Sequence, residues 1–171
     1  MTEYARRVAE QLRSELPFTI GGASFGGMVA HEVAGLLGLE TCLLLSTVRG
    51  PEELPPLWDL LRPYAERGED AIIEASINPP AGSPPSEVAR WRPLGRPAAR
   101  FQRWSATAIL TWQPSLTTQN VRTYHLHGDK DDVFPIELVH PDEVVEGGGH
   151  VLPVTHPERV TAFLKRYVLS S

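Results

Sequence analysis

The sequence predicts an α/β fold, a mostly parallel sheet flanked by helices, and three observations carry that prediction. Thr41-Cys42-Leu43-Leu44-Leu45 is an unbroken apolar run, the pattern of a strand buried on both faces, as strands of parallel sheets are. Helix-period and strand-like segments alternate: helix, strand, helix, strand, a long intervening stretch, strand, strand, helix. Such alternation argues for a parallel sheet with helices on its faces. The chain has 171 residues, 42% hydrophobic and 22% charged, ordinary values for one globular domain with a sizeable core.

The elements follow in order. Tyr4, Val8, Leu12 and Leu16 recur every fourth residue with charges between them, which predicts an amphipathic helix over residues 2–16, ended by Pro17. Phe18-Thr19-Ile20 reads as a short strand that stops at a Gly21-Gly22 turn. From Phe25, the residues Met28, Val29, Val33, Leu36 and Leu37 repeat at helical spacing up to Gly38, a C-cap. Strand 41–45 comes next. Alternation returns at residues 121–126, a strand ending at Gly128, and a short strand covers 143–145. The last helix is expected to start at Thr155, with Glu158 closing a capping box and Val160, Phe163, Leu164, Tyr167 and Val168 as its apolar face.

Residues 50–118 differ in character. Prolines cluster at Pro51, Pro55 and Pro56 and again at Pro79, Pro80, Pro84, Pro85, Pro93 and Pro97, and all four tryptophans, Trp58, Trp91, Trp104 and Trp112, lie here. Short helices are expected at 57–66 and 101–110. Neither half has enough periodic structure for its own core, so the stretch reads as an insertion in a single domain spanning 1–171.

Sixteen Lys and Arg against 21 Asp and Glu give a net charge of -5, with no basic footprint for nucleic acid and no polybasic patch for a membrane. The N-terminal residues carry charges where a secretory signal would carry an apolar core, and no apolar run approaches the ~20 residues that span a bilayer. A lone cysteine, Cys42, excludes an intramolecular disulfide framework and a multi-cysteine metal site. The expected compartment is cytoplasmic.

Gly22-Ala23-Ser24-Phe25-Gly26 matches G-x-S-x-G between a strand and a helix, where a sharp turn lifts a serine hydroxyl clear of the sheet. The competing interpretation is a glycine-rich turn whose serine caps the helix. A serine nucleophile needs a base, and the base an orienting acid. Both appear downstream, in His127-Gly128-Asp129-Lys130-Asp131-Asp132-Val133-Phe134-Pro135 and in Gly147-Gly148-Gly149-His150. Asp129, Asp131 and Asp132 compete for the acid. His125-x-His127-x-Asp129 also echoes the metal-binding H-x-H-x-D of metallo-β-lactamase-type hydrolases, whose following histidine is here Lys130. The expectation is no metal and no cofactor.

With these three motifs in the chain order Ser, Asp, His, the sequence resembles the α/β-hydrolase superfamily over about residues 15–48 and 120–169. The resemblance implies that Ser24 is the nucleophile, that Asp131 is the acid of the loop after the family's seventh strand, and that His150 is the base. It implies that the Phe25 N–H binds the oxyanion and that residues 50–118 form the family's cap. It also implies four further strands ahead of the elbow strand in a complete member, one of whose loops supplies the second oxyanion donor. Only about twenty residues precede Ser24, so the chain reads as the C-terminal half of the core.

Two functions follow as expectations. The first is serine hydrolysis of a carboxylic ester or thioester through an acyl-enzyme, on a small-molecule acyl substrate held in an apolar pocket to which Trp58, Leu61 and Trp104 contribute. The second is a catalytically silent remnant of the fold that acts as a binding or interaction module. A homo-oligomer is also expected, because strand 18–20 would leave an apolar sheet edge without a partner.

Overall fold

A computed structural model of the chain describes residues 1–16, 18–68, 71 and 100–168. The chain divides into two compact units, Thr2–Leu54 with Gln113–Ser171, and Pro55–Trp112 with Met1. Pro17 and the proline cluster from Pro79 to Pro97, with Trp91, lie outside the described residues.

The larger unit is built on four parallel strands, β1 (Ile20–Ala23), β2 (Thr41–Leu45), β3 (Arg122–Gly128) and β4 (Glu143–Val145), in the spatial order β1-β2-β3-β4. Ile20 pairs with Cys42, Leu44 with His125, and Leu126 with Glu143. The continuous apolar run of β2 is explained by burial on both faces. Leu43 and Leu45 enter a cluster with Leu126, Val145, Leu152, Val160 and Phe163, while Cys42 and Leu44 enter another with Ala30, Ala34 and Val121. Alternate side chains of one strand thus serve two cores.

Helices α1 (Thr2–Leu12) and α2 (Phe25–Leu37) pack on each other. Helix α1 stops at Leu12, short of the expected residue 16, and a 3₁₀ turn over Arg13–Glu15 follows it. The buried side chains of α1 are Ala5 and Ala9, not Tyr4, which is 41% exposed; Leu16, beyond the helix, is 38% exposed. Small residues let two helices approach closely, so the alanine stripe faces α2 and the larger apolar residues lie at its margin. Helix α2 ends at Gly38, whose φ of 68° is the left-handed cap its sequence predicts.

Strand β1 is displaced from its expected place. It runs through Gly21 and Gly22, which pair with Leu43 and Leu44, and the chain reverses instead at Ser24. At the other end of the unit, Thr155 closes a short helix, α5 (Leu152–Thr155), by bonding its hydroxyl to the Val151 carbonyl. The last helix, α6 (Pro157–Val168), starts at the proline, where the ring's fixed φ suits a first helical position. The expected capping box at Thr155 is therefore absent. Val160 and Phe163 are buried, with Leu164 and Tyr167 packed against the same cluster, while Val168 is exposed.

The smaller unit holds a 3₁₀ turn (Pro56–Leu60) and helices α3 (Arg62–Glu66) and α4 (Arg100–Leu110). Leu61, Ala65, Ala106 and Leu110 form its apolar cluster, with Trp58 and Tyr64 packed against it. Among the described residues, no helix is long and apolar enough to cross a membrane.

Candidate active site

Ser24 sits between β1 and α2 with φ 52° and ψ −131°, a conformation that a residue with a β-carbon adopts only under constraint. The constraint is visible. The Ser24 N–H donates to the Leu45 carbonyl (3.0 Å), and the Ser24 carbonyl accepts from the Gly27 N–H (2.9 Å) and from the Thr47 hydroxyl (2.7 Å). The turn is possible because of the glycine before the serine and one further along the helix. A β-carbon on Gly22 would collide with the backbone of Gly26, and one on Gly27 would lie 2.6 Å from the Thr47 methyl. The second glycine of the G-x-S-x-G pattern, Gly26, is the unconstrained one: a side chain there would meet open space. Gly22→Ala is expected to lower the melting temperature by several degrees, because backbone must move to admit the methyl, while Gly26→Ala should change it little. Equal melting of the two variants in a calorimeter would contradict this account of the turn.

The Ser24 side chain makes no capping hydrogen bond to α2, which removes the helix-cap interpretation. Its Oγ lies instead 2.8 Å from His150 Nε2. His150 follows β4 and its glycine loop. Gly148 comes so close to Gly128, the last residue of β3, that a β-carbon on Gly128 would overlap the Gly148 carbonyl, and the Lys130 N–H donates to that carbonyl at 2.8 Å. The loops after β3 and β4 are thereby clasped together, which fixes where the acid and the histidine meet.

The carboxylate that meets His150 is that of Asp131. It is 5% exposed, and its Oδ2 is 2.9 Å from His150 Nδ1. Its Oδ1 accepts from the Val133 and Phe134 N–H groups, each at 2.9 Å. Burial alone would push this carboxyl up, but the His150 hydrogen bond and the two backbone donors outweigh it, and Asp131 is held below the usual carboxylate range. An ionised acid accepts only, so Nδ1 of His150 carries the proton and Nε2 offers its lone pair to the Ser24 hydroxyl. The Phe134 ring meets the His150 ring edge-on at 5.5 Å.

The folded-state lowering fixes a sign for stability. Asp131 contributes stability in full above the ordinary carboxylate value of about 4 and loses it as pH falls through its lower folded-state value. The stability gap between the wild type and Asp131→Asn should therefore be largest near neutrality and close in strong acid. Melts of both proteins across that range check it, and a gap that widens on acidification would contradict it.

The other sequence candidates are placed as follows. Asp129 accepts the Gly147 N–H at 2.7 Å and so shapes the clasp, while Asp132 is exposed. Phe25 opens α2, at the positive end of the helix dipole. Leu61 and Trp58 pack in the apolar cluster of the smaller unit, and Trp104 stands 5.7 Å from the Phe101 ring. The residues of the H-x-H-x-D pattern part ways: His125 and His127 bond each other at 3.1 Å, whereas Asp129 turns to Gly147. Among the described residues, no group of three or more His, Cys, Asp or Glu is arranged to hold a metal ion. Thr47 is a residue that sequence reasoning missed. A threonine just past a buried strand carries no motif, and only the fold sets its hydroxyl against the Ser24 carbonyl.

A model of the alpha/beta hydrolase family matches residues 2–163. Among solved structures, an esterase from Rhodococcus sp. is 19% identical, with 98% of this chain covering 71% of that one at a TM-score of 0.54. A methylesterase from Arabidopsis is 20% identical, covering 98% and 77% of the two chains at 0.52. A thioesterase of the prodiginine pathway in Streptomyces coelicolor is 18% identical, covering 97% and 70% at 0.51. At these identities the likeness is one of fold. No curated protein matches the chain.

Proposed function

The chain belongs to the alpha/beta hydrolase family, and on that premise we propose that it is a serine hydrolase that cleaves a carboxylic ester or thioester of a small acyl substrate. The observation that carries this reading is the unbroken line of hydrogen-bond distances from Ser24 Oγ to His150 (2.8 Å) and from His150 to the Asp131 carboxylate (2.9 Å). In this reading Ser24 Oγ bonds to the substrate carbonyl carbon as its proton passes to His150 Nε2. Asp131 stabilises the imidazolium and keeps its orientation. The proton then goes to the departing alcohol or thiol as its bond to the acyl carbon breaks. Water repeats the sequence on the acyl-enzyme and releases the acid. The Phe25 N–H, at the positive end of α2, binds the oxyanion. No cofactor enters the scheme. Residues 50–118 are assigned the family's cap role, and Trp58, Leu61 and Trp104 an acyl-binding role.

The test is hydrolysis of p-nitrophenyl esters and of acyl thioesters across pH. A histidine base must be neutral to accept the proton, so kcat/KM should rise as pH is raised from the acid side. A profile flat from about pH 5 to pH 9 would contradict a histidine base.

The silent-module reading draws on one observation. Among the described residues β1 pairs only with β2, so the elbow strand lies at a sheet edge, where its outer N–H and C=O groups have no strand partner. Edges of this kind invite pairing with another chain, and we propose that the protein self-associates there. Light scattering during size exclusion at micromolar concentration should give a dimer or larger. A clean monomer that binds no dye for exposed apolar surface would contradict the assignment.

A further inference from the structure

Beyond His150, the carboxylate of Asp131 has a second histidine beside it. His127 Nε2 lies 3.4 Å from Asp131 Oδ2 and 2.8 Å from the Phe134 carbonyl, in the same loop whose N–H donates to Asp131. His127 in turn meets His125, and His125 meets Arg49: His127 Nδ1 is 3.1 Å from His125 Nε2, and His125 Nδ1 is 3.4 Å from the Arg49 guanidinium. Both imidazoles are fully buried. Arg49 is anchored at the outer end by the Asp142 carboxylate (3.2 Å), the His140 carbonyl (2.7 Å), the Thr123 hydroxyl (2.9 Å) and the Glu53 carboxylate (3.7 Å).

The chemistry of the end groups fixes every proton in between. A carbonyl and a carboxylate only accept, so His127 Nε2 carries the hydrogen. Burial lowers the pKa of His127, and burial with the His127 and Arg49 charges drives that of His125 down to about 2. Both rings are therefore neutral, with one hydrogen each. His127 Nδ1 must then accept, which makes His125 Nε2 the donor. His125 Nδ1 must accept as well, and Arg49, which can only donate, is the group that faces it. Each donor along the line points the same way, from Arg49 to the Phe134 carbonyl in the loop that holds Asp131.

We propose that Arg49, His125 and His127 form a one-directional hydrogen-bond line that holds Asp131 and its loop against His150, with His127 as the positioning residue. The proposal rests on the Ser24–His150–Asp131 reading for its catalytic consequence, but not for its geometry. The line explains why two adjacent inward positions of β3 are histidines when aliphatic side chains would fill the same space without polar atoms to satisfy. It also separates the second histidine from the base: His150 exchanges protons with the substrate, whereas His127 keeps one hydrogen throughout.

The test uses the full chain with ¹⁵N-labelled histidine. Ring-nitrogen shifts should place the hydrogen on Nε2 of both His125 and His127 across about pH 5.5–8, and a far-downfield proton should report the His150 Nδ1–H bond to Asp131. His127→Phe keeps an aromatic ring but removes the donor. It should shift or broaden the His150 proton and slow fluorophosphonate labelling of Ser24 about 10–100-fold, the range that misplacement of a reacting group by about 1 Å produces. His127→Gln, whose amide nitrogen can take the place of Nε2, should restore most of both. A hydrogen on Nδ1 of either ring would overturn the proposal. So would a His127→Phe variant with an unchanged His150 proton and wild-type labelling. Should His127→Phe not fold, the wild-type tautomers and the His127→Gln rate decide alone. A wild type that is never labelled, yet whose His150 proton responds to His127→Phe, would defeat the hydrolase reading and leave the positioning role standing.

Discussion

Ser24→Ala is expected to remove hydrolysis almost completely, by a factor on the order of 10⁶, the scale set by loss of the nucleophile in serine hydrolases. Stability should move little, because the Ser24 side chain caps no helix and its hydroxyl meets His150. A second variant separates the chemistry from the backbone. Ser24→Gly is as inactive as Ser24→Ala, but glycine adopts φ 52° without a β-carbon to strain it. A strained residue of this kind costs about 1–3 kcal/mol, and the extra freedom glycine gives the unfolded chain offsets about 0.4–1 kcal/mol of the relief. The glycine variant should therefore be more stable than the alanine variant by about 1 kcal/mol. Denaturant melts of the two inactive proteins measure that difference directly. Glycine less stable than alanine would mean that the turn holds no strain.

Asp131→Asn carries the second large effect. The amide has almost the shape of the carboxylate, and its oxygen can still accept from the Val133 and Phe134 N–H groups that close the loop. The other atom becomes an NH₂ donor facing His150 Nδ1. That contact then requires a lone pair on Nδ1, which puts the ring hydrogen on Nε2, where it meets the Ser24 hydroxyl instead of accepting from it. Loss of turnover by about 10³–10⁴ follows from the wrong tautomer and the missing negative charge. Asp129→Asn leaves an acceptor for the Gly147 N–H and touches neither ring, so its loss should be tenfold or less. Steady-state kcat of the two variants on one ester checks the ranking. The reverse order would move the acid to Asp129.

Most of the sheet was legible from local pattern. Strand β2 was written in an apolar run that only a doubly covered strand uses, and Gly38 marked the end of α2. What misled was the balance between local and tertiary preference. Gly21-Gly22 looks like a turn in isolation, yet pairing with Leu43 and Leu44 makes it strand. Tyr4 and Leu16 look like one buried helix face, yet α1 stops at Leu12 and the helix beside it leaves room only for Ala5 and Ala9. Thr155 and Glu158 have the spacing of a capping box, but Pro157 sets the start of α6 two residues later.

Ser24, Asp131 and His150, singled out by motif and chain order, are brought within hydrogen-bond distance of one another. Their supports carry no such signal. Thr47, Gly27, His127 and Arg49 act through distances between segments far apart in the chain, and nothing in their own neighbourhoods announces it. In the sequence His125 and His127 stand out only through the H-x-H-x-D pattern. The direction of their hydrogen bonds became visible only with the Phe134 carbonyl at one end and Arg49 at the other.

The most direct test of the account is covalent labelling of the purified chain by a fluorophosphonate, followed by peptide mass mapping. The reagent's phosphorus bonds to a serine oxygen only where a base has activated that oxygen, and fluoride leaves. The account predicts one adduct, on Ser24, lost in Ser24→Ala and in His150→Ala. An unmodified folded chain, or an adduct on a serine other than Ser24, would contradict it.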